Sequence, residues 1–216
     1  MSAVVQAVGL LKTKEAVDLG GDYLDVLGAP DSSRSQRGWA GAVSRLVLGF
    51  FGPSAGARRR TVLEMARVRE GDQVIDVGCG AGECTRHLAR AAGEGLTIGL
   101  DASEEVVATA AANGGRENLA YLRGDACALP FEDETFDVAC SVGAIEAAEE
   151  PMAAIGEMVR VLAPGGRLVI AASRARGDEL TAALRERGLC EVERRVTRRG
   201  QVLAAQKPAE EVDDGR

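Results

Sequence analysis

The stretch Val74-Ile75-Asp76-Val77-Gly78-Cys79-Gly80-Ala81-Gly82 decides the fold. Its β-branched first half reads as a buried strand with an acid inside the run. Alternate glycines come next, and a helix-compatible segment opens near Glu83. A strand that bends sharply into a helix while its backbone approaches a ligand needs positions without a Cβ. The dinucleotide fingerprint sets its glycines at i, i+2 and i+5. Here the third glycine stands one position early and Glu83 occupies i+5, where a carboxylate would repel a pyrophosphate. The spacing argues against NAD or FAD.

Outward from this turn, short apolar runs alternate with segments of helical period. The runs are Gln73–Val77, Leu96–Leu100, Leu119–Arg123, Phe136–Ser141 and Arg167–Ala172, each of the first four followed by a helix-compatible stretch. That alternation predicts a parallel sheet wrapped by helices. Ser103 is positioned to cap one helix, with Glu104 and Glu105 in its first turn. In another, Met152, Ile155, Met158, Val159 and Leu162 recur at helical spacing up to a stop at Pro164-Gly165-Gly166. A short helix is expected over Asp178–Arg187. The runs Cys190–Val196 and Gln201–Gln206, joined by Thr197-Arg198-Arg199-Gly200, then read as an antiparallel hairpin. The expected class is α/β: a doubly wound, mostly parallel seven-stranded sheet with an antiparallel C-terminal hairpin.

The N-terminal stretch differs in character. A helix is expected over Ala3–Val17, then a break at Pro30-Asp31-Ser32-Ser33. Trp39, Val43, Leu46, Val47 and Phe50 form one stripe of an amphipathic helix. A further helix begins near Ala55. The expected division is a helical appendage over 1–60, able to act as a lid, a cofactor-binding domain over 61–207, and a disordered acidic tail over 208–216.

Composition narrows the function classes. With 46% hydrophobic and 27% charged residues, the 216-residue chain reads as an ordinary globular protein. A net charge of −7 argues against a nucleic-acid partner, because such binding is driven by cations that displace counterions. The run Arg58-Arg59-Arg60 sits on an expected helix, where a solvated face is the simpler reading. Five cysteines without a Cys-x-x-Cys pair, and a single histidine, leave no metal-ligand cluster. Unpaired cysteines suit a reducing compartment, so a cytoplasmic location is expected. No leader segment is recognisable, and the apolar stretch Trp39–Phe51 is too short to span a bilayer.

Together with the runs downstream of it, the glycine stretch resembles the first motif of the class I S-adenosylmethionine-dependent methyltransferases, a Rossmann-like family. The second strand ends in Asp101, where the family carries an acid that holds both ribose hydroxyls; a carboxylate can accept both bonds at once. Leu122-Arg123-Gly124-Asp125-Ala126 resembles the adenine loop. The run Phe136–Ser141 resembles the strand whose end faces the methionine part, and Val161–Leu168 the connection before the fifth strand. The resemblance covers about residues 61–207. It implies S-adenosylmethionine as cofactor, held by Asp76, Gly78, Cys79, Gly80, Gly82, Asp101, Ala102, Gly124, Asp125, Ala126 and Ser141.

The family resemblance also frames the chemistry. Many relatives continue the fourth strand into a Glu-His pair; here Glu146 matches the acid and Ala147 replaces the histidine. Glu146 is the one candidate catalytic residue, and a role in fixing backbone amides stands beside it. His87 reads as a plain helix residue. The cofactor carries the reactive methyl group, so the protein's task is position and a dry pocket. A small-molecule acceptor is implied, with the amphipathic N-terminal helix resembling those of quinone and lipid methylases, and a homodimer is compatible. A protein that binds the cofactor without methylating is the alternative.

Overall fold

The computed structural model describes residues 2–12, 18–19, 23–27, 55–198 and 200–209. Its centre is one sheet. The strands in chain order are β1 (Asp18–Leu19), β2 (Leu24–Asp25), β3 (Val74–Val77), β4 (Thr97–Asp101), β5 (Leu119–Arg123), β6 (Phe136–Val142), β7 (Leu162–Ala172), β8 (Cys190–Thr197) and β9 (Gly200–Gln206). Their order across the sheet is β1-β2-β5-β4-β3-β6-β7-β9-β8. β2 through β7 pair in parallel, while β1, β9 and β8 pair antiparallel with their neighbours. The expected seven strands and terminal hairpin are therefore present, with two short N-terminal strands added at one edge.

Alternation within each strand explains why helices cover both faces. Successive side chains point to opposite sides of a strand. Val74, Val138, Cys140, Val169, Ala171, Val202 and Ala204 meet α2 (Ala55–Ala66) and α3 (Glu83–Ala92). Their neighbours Ile75, Ala139, Leu168, Ile170, Leu203 and Ala205 share the opposite core with α1 (Ala3–Gly9), α5 (Pro151–Arg160) and α6 (Gly177–Glu186). On the α3 side, α4 (Glu104–Ala112) contributes Val107 and Ala110 against Leu119 and Tyr121. From β3 the chain winds outward through β4 and β5, then returns to the other side of β3 for β6 and β7. That reversal makes the C-terminal ends of β3 and β6 a topological switch point, the place where open α/β sheets bind ligands.

Several local expectations are corrected. No helix follows β5: residues 124–135 form turns around Pro130, and Asp125 Oδ1 accepts from Cys127 N–H at 2.8 Å. The N-terminal helix fills the gap. Ala3, Ala7 and Leu11 join Leu129 and Phe131 in the core, Leu11 bridges Phe131, and Lys12 N–H donates to the Pro130 carbonyl at 3.0 Å. That helix ends at Gly9 instead of Val17, with 13–17 outside the described residues. Pro164-Gly165-Gly166 does not separate helix from strand, since α5 stops at Arg160 and β7 begins at Leu162. The extended chain there takes its partners from beyond β9. Gly165 N–H donates to the Lys207 carbonyl, and Lys207 N–H to the Gly166 carbonyl. Ser103 stands at the cap of α4, but its hydroxyl makes no capping bond. The Trp39–Phe50 helix lies outside the described residues, as do residues 210–216 of the acidic tail.

One arginine ties the β5–β6 connection to α5. Arg160 donates to the carbonyls of Leu129 and Phe131 at 2.9 and 2.8 Å, and pairs with Glu157 and Asp133 at 2.8 and 2.7 Å. Glu157 also accepts from Leu129 N–H at 2.8 Å. Helix period cannot supply this loop with backbone partners, so the guanidinium does. Arg160→Met is expected to cost about 2 kcal/mol in urea unfolding, because two carbonyls and two carboxylates lose a charged donor together. An unchanged unfolding midpoint would show that water replaces it without loss.

Candidate functional site

The glycine turn is built by β3 and held by β4. Gly78 and Cys79 N–H both donate to the Leu100 carbonyl, at 2.7 and 3.0 Å. Gly80 N–H donates to Asp101 Oδ2 at 3.1 Å, and the other carboxylate oxygen accepts from Ser103 N–H at 3.1 Å. Asp101 therefore joins the turn after β3 to the turn after β4. Two glycines are required here. Gly82 has φ +77, and a Cβ on it would lie 2.2 Å from Tyr121 Oη. Gly80 has φ +54 and would carry its Cβ into open space. The space above its backbone is open among the described residues, which suits close approach by a ligand.

Beneath the turn lies Asp76, only 1% exposed. Thr85, from the first turn of α3, donates its hydroxyl to Asp76 Oδ2 at 2.7 Å. Asp76 Oδ1 has no hydrogen-bond partner among the described residues. Burial pushes this carboxyl up to about 6, against the Thr85 bond and reinforced by the nearby charge of Asp101. Cys79, Cys84 and Cys140 are buried around the same strand ends, and desolvation raises each thiol well above its ordinary value. They are small packed side chains, not nucleophiles.

Register brings the remaining expected residues to the same edge. Asp101 pairs with Arg123 across β4 and β5, so Gly124 follows at once, and its N–H donates to the Asp101 carbonyl at 3.0 Å. Ala126 is buried, while Asp125 is exposed. On the other side of β3, Asp76 pairs with Cys140, which places Ser141 next along β6. The Ser141 hydroxyl is buried without a partner among the described residues. Asp76, Asp101 and Ser141 thus lie near the C-terminal ends of β3, β4 and β6, and Gly78, Cys79, Gly80, Gly82, Ala102, Gly124, Asp125 and Ala126 in the segments that follow β3, β4 and β5.

Glu146 is spent differently. It sits in the short turn Ile145–Ala147 after β6, and both carboxylate oxygens accept from Ser173 N–H at 3.0 and 2.9 Å. Oε1 also accepts from the Ser173 hydroxyl at 2.5 Å. The carboxylate clamps the end of β7 to the turn after β6. His87 lies half-buried on α3, and desolvation lowers its pKa. Arg59 and Arg60 pair with Glu83 and Glu64 at 2.8 and 3.0 Å, which accounts for their place on a solvated helix face.

Four contributors went unread in the sequence. Thr85 braces Asp76, Ser173 engages Glu146, and Tyr121 lies under Gly82 with its phenol pushed up to about 12 by burial. The fourth is Arg123, whose side chain is 4% exposed and pairs with Asp25 at 2.8 Å. Only Arg123 left a trace, as a lone charge closing an apolar run.

Residues 75–170 match the family of methyltransferase domains. The chain is 36% identical over 115 residues to a demethylmenaquinone methyltransferase of Shouchella clausii, covering 51% of this chain and 49% of that one. It spans about half the length of the curated relatives it matches. Among solved structures, an S-adenosylmethionine-dependent methyltransferase of Aquifex aeolicus superposes with a TM-score of 0.62 at 24% identity, over 77% of this chain and 96% of that one. A chain from the complex of the Haloferax volcanii Trm112 methyltransferase activator with a methyltransferase gives 0.68 at 24% identity, over 82% and 100%. Residues 75–170, with the Asp101-braced glycine turn at the strand-order reversal, thus match the methyltransferase-domain family and share the fold of S-adenosylmethionine-dependent methyltransferases.

Proposed function

We propose that the protein transfers a methyl group from S-adenosylmethionine to a small-molecule acceptor of the quinone-precursor type. The observation that carries the cofactor half is the bond from Gly80 N–H to Asp101, which holds the glycine turn against the end of β4 with open space beside Gly80. Asp101 is a buried carboxylate at the end of β4, fixed by the turns after β3 and β4, and a carboxylate is the group that can accept from two vicinal hydroxyls. Exposed Asp125 offers its second oxygen to an exocyclic amine, and the orphaned Ser141 hydroxyl a donor at the opposite end of the row. These groups fit a nucleoside carrying an amino-acid tail. The acceptor half rests on the half-length likeness to the demethylmenaquinone enzyme.

The cofactor supplies an electrophilic methyl group on a sulfonium. The chain's own contribution is placement: the glycine turn and Asp101 fix the sugar, and the buried edge of β6 keeps water from the reacting end. In this reading Glu146 holds the end of β7 through its bonds to Ser173, and proton removal is not assigned to it. Ala147 offers no alternative base, so the acceptor is read as arriving ionised or losing its proton to solvent. In this reading, residues 61–207 form the catalytic unit and 1–60 an accessory segment. The five cysteines, free in the fold, suit the reducing cytoplasm. The chain's net charge of −7 disfavours a nucleic-acid acceptor.

Calorimetry should give micromolar-range binding of S-adenosylhomocysteine and no heat with NAD, a strength of about −8 kcal/mol. Methyl-labelled S-adenosylmethionine should then deliver label to a reduced demethylnaphthoquinone. NAD binding without S-adenosylhomocysteine binding would sink the cofactor assignment. Cofactor binding with no transfer to a panel of hydroquinones would leave the cofactor and remove the acceptor class.

A further inference from the structure

We infer that Arg123 is a positioning residue for the adenosine half of the site, and that Asp25 makes the N-terminal strand β2 a wall of that half. This rests on the proposed cofactor function. No motif points to β2. It is two residues long and lies far from the glycine turn in sequence, yet it adds in parallel to β5 just where the expected adenine loop departs. Leu24 pairs with Leu122 and Asp25 with Arg123. Val26 N–H then donates to the Arg123 carbonyl at 3.2 Å. A Cβ on Gly124 would meet Leu100 Cδ1 at 2.8 Å and Val26 Cγ2 at 3.4 Å, so the loop glycine is held between β4 and the N-terminal segment.

The side chain of Arg123 binds the same parts together. Its Nη1 pairs with Asp25 Oδ2 at 2.8 Å and stands 3.9 Å from Glu104 Oε2. Nε donates to the carbonyl of Ala102 at 3.4 Å, directly after the expected ribose acid. Tyr23 Oη reaches Glu104 Oε1 at 3.5 Å, and Asp25 Oδ1 accepts from Leu27 N–H at 2.9 Å. Arg123 and Asp25 are 4% and 13% exposed. A guanidinium this buried is costly unless it is paired and hydrogen-bonded, and a fork-shaped donor holds several acceptors in fixed relation. One cation therefore sets the relative positions of the β4–α4 turn, the start of the Gly124 loop and the N-terminal strand. The first two would meet ribose and adenine, and the third closes behind them.

The test compares the full-length wild type with Asp25→Asn, Arg123→Lys and the double variant Asp25→Asn/Arg123→Met, using S-adenosylhomocysteine as the probe. Arg60→Gln, on the exposed face of α2, serves as the unaffected control. Each protein is checked by circular dichroism, then by calorimetry and amide hydrogen exchange at Val26 and Leu27. Asp25→Asn is expected to raise the dissociation constant about tenfold, a loss of about 1.4 kcal/mol. Arg123→Lys should do the same, because an ammonium cannot reproduce the fork. The double variant removes both buried charges together, so it is expected to fold and still to bind about tenfold more weakly. In the wild type the probe should slow exchange at Val26 and Leu27, and in Asp25→Asn that protection should vanish. Folded variants that bind like wild type, with exchange indifferent to the probe, would overturn the inference and leave the cofactor assignment standing. A wild type that binds no S-adenosylhomocysteine would instead overturn the functional reading and this inference with it.

Discussion

Asp101→Ala is expected to raise the dissociation constant for S-adenosylhomocysteine by two to three decades, roughly 3–4 kcal/mol. The effect exceeds that of a simple ribose contact because this carboxylate has two tasks. It is the proposed acceptor for the sugar hydroxyls. It also holds Gly80 N–H on one oxygen and Ser103 N–H on the other, so the glycine turn is shaped before any ligand arrives. Loss of the side chain removes the ligand bonds and releases the two turns that form the pocket, adding an ordering cost to binding. The free protein should lose about 1–2 kcal/mol in urea unfolding from the same two backbone donors. Asp101→Asn separates the tasks, since its amide oxygen can retain one backbone bond while the charge is gone. It should lie between wild type and Asp101→Ala in both measurements. If Asp101→Ala folds and binds the cofactor product as wild type does, the acid neither holds the ribose nor shapes the site for it, and both assignments are wrong.

The parts of the fold that were legible in the sequence depend on local repetition. Val74 and Ile75, Val138 and Ala139, Val169 and Leu168 alternate between two cores because a strand shows its faces in turn, and the residues carry that pattern openly. The glycine turn was legible because left-handed backbone at Gly78, Gly80 and Gly82 restricts residue choice. What was missed is non-local. The gap after β5 is filled by α1, and nothing in residues 124–135 announces a helix from the chain's beginning. The extended chain at Pro164-Gly165-Gly166 depends on Lys207, which no window around the turn contains. Glu146 stands at a family position for an acid. Its engagement by Ser173 follows from β6 and β7 lying side by side in register, Val142 against Ala171. Arg123 finds Asp25 across most of the N-terminal region.

Asp76 should give the protein an unusual dependence of stability on pH. Its carboxyl sits at about 6 in the fold, against an ordinary 3.8, chiefly because burial penalises the charge. Below the ordinary value both folded and unfolded chains hold the proton, and Asp76 contributes no slope. Between there and about 6 the folded chain keeps a proton that the unfolded chain releases. Stability must then fall as pH rises, and above that range the full cost of the buried charge is present, about 3 kcal/mol. Asp133, Glu157 and Glu179 run the other way, because hydrogen bonds from arginines hold their carboxyls low. Their contributions are present at neutral pH and are lost in acid. A whole-protein curve mixes the two trends, and comparison with Asp76→Asn isolates one. The amide is neutral throughout and keeps an acceptor for Thr85 Oγ1. The thiols of Cys79, Cys84 and Cys140 and the phenol of Tyr121, which burial and, to a lesser extent, the Asp76 charge raise, titrate above the range compared. Urea unfolding of both proteins should show the gap in stability moving in favour of Asp76→Asn by roughly 2 kcal/mol between about pH 4.5 and pH 8. The amide nitrogen falls where Oδ1 has no partner among the described residues, so the variant loses a constant amount at every pH without altering that slope. Parallel curves for the two proteins would mean that the carboxyl ionises as freely as in the unfolded chain. Asp76 would then have a compensating donor close to Oδ1, and the buried charge would cost the fold nothing.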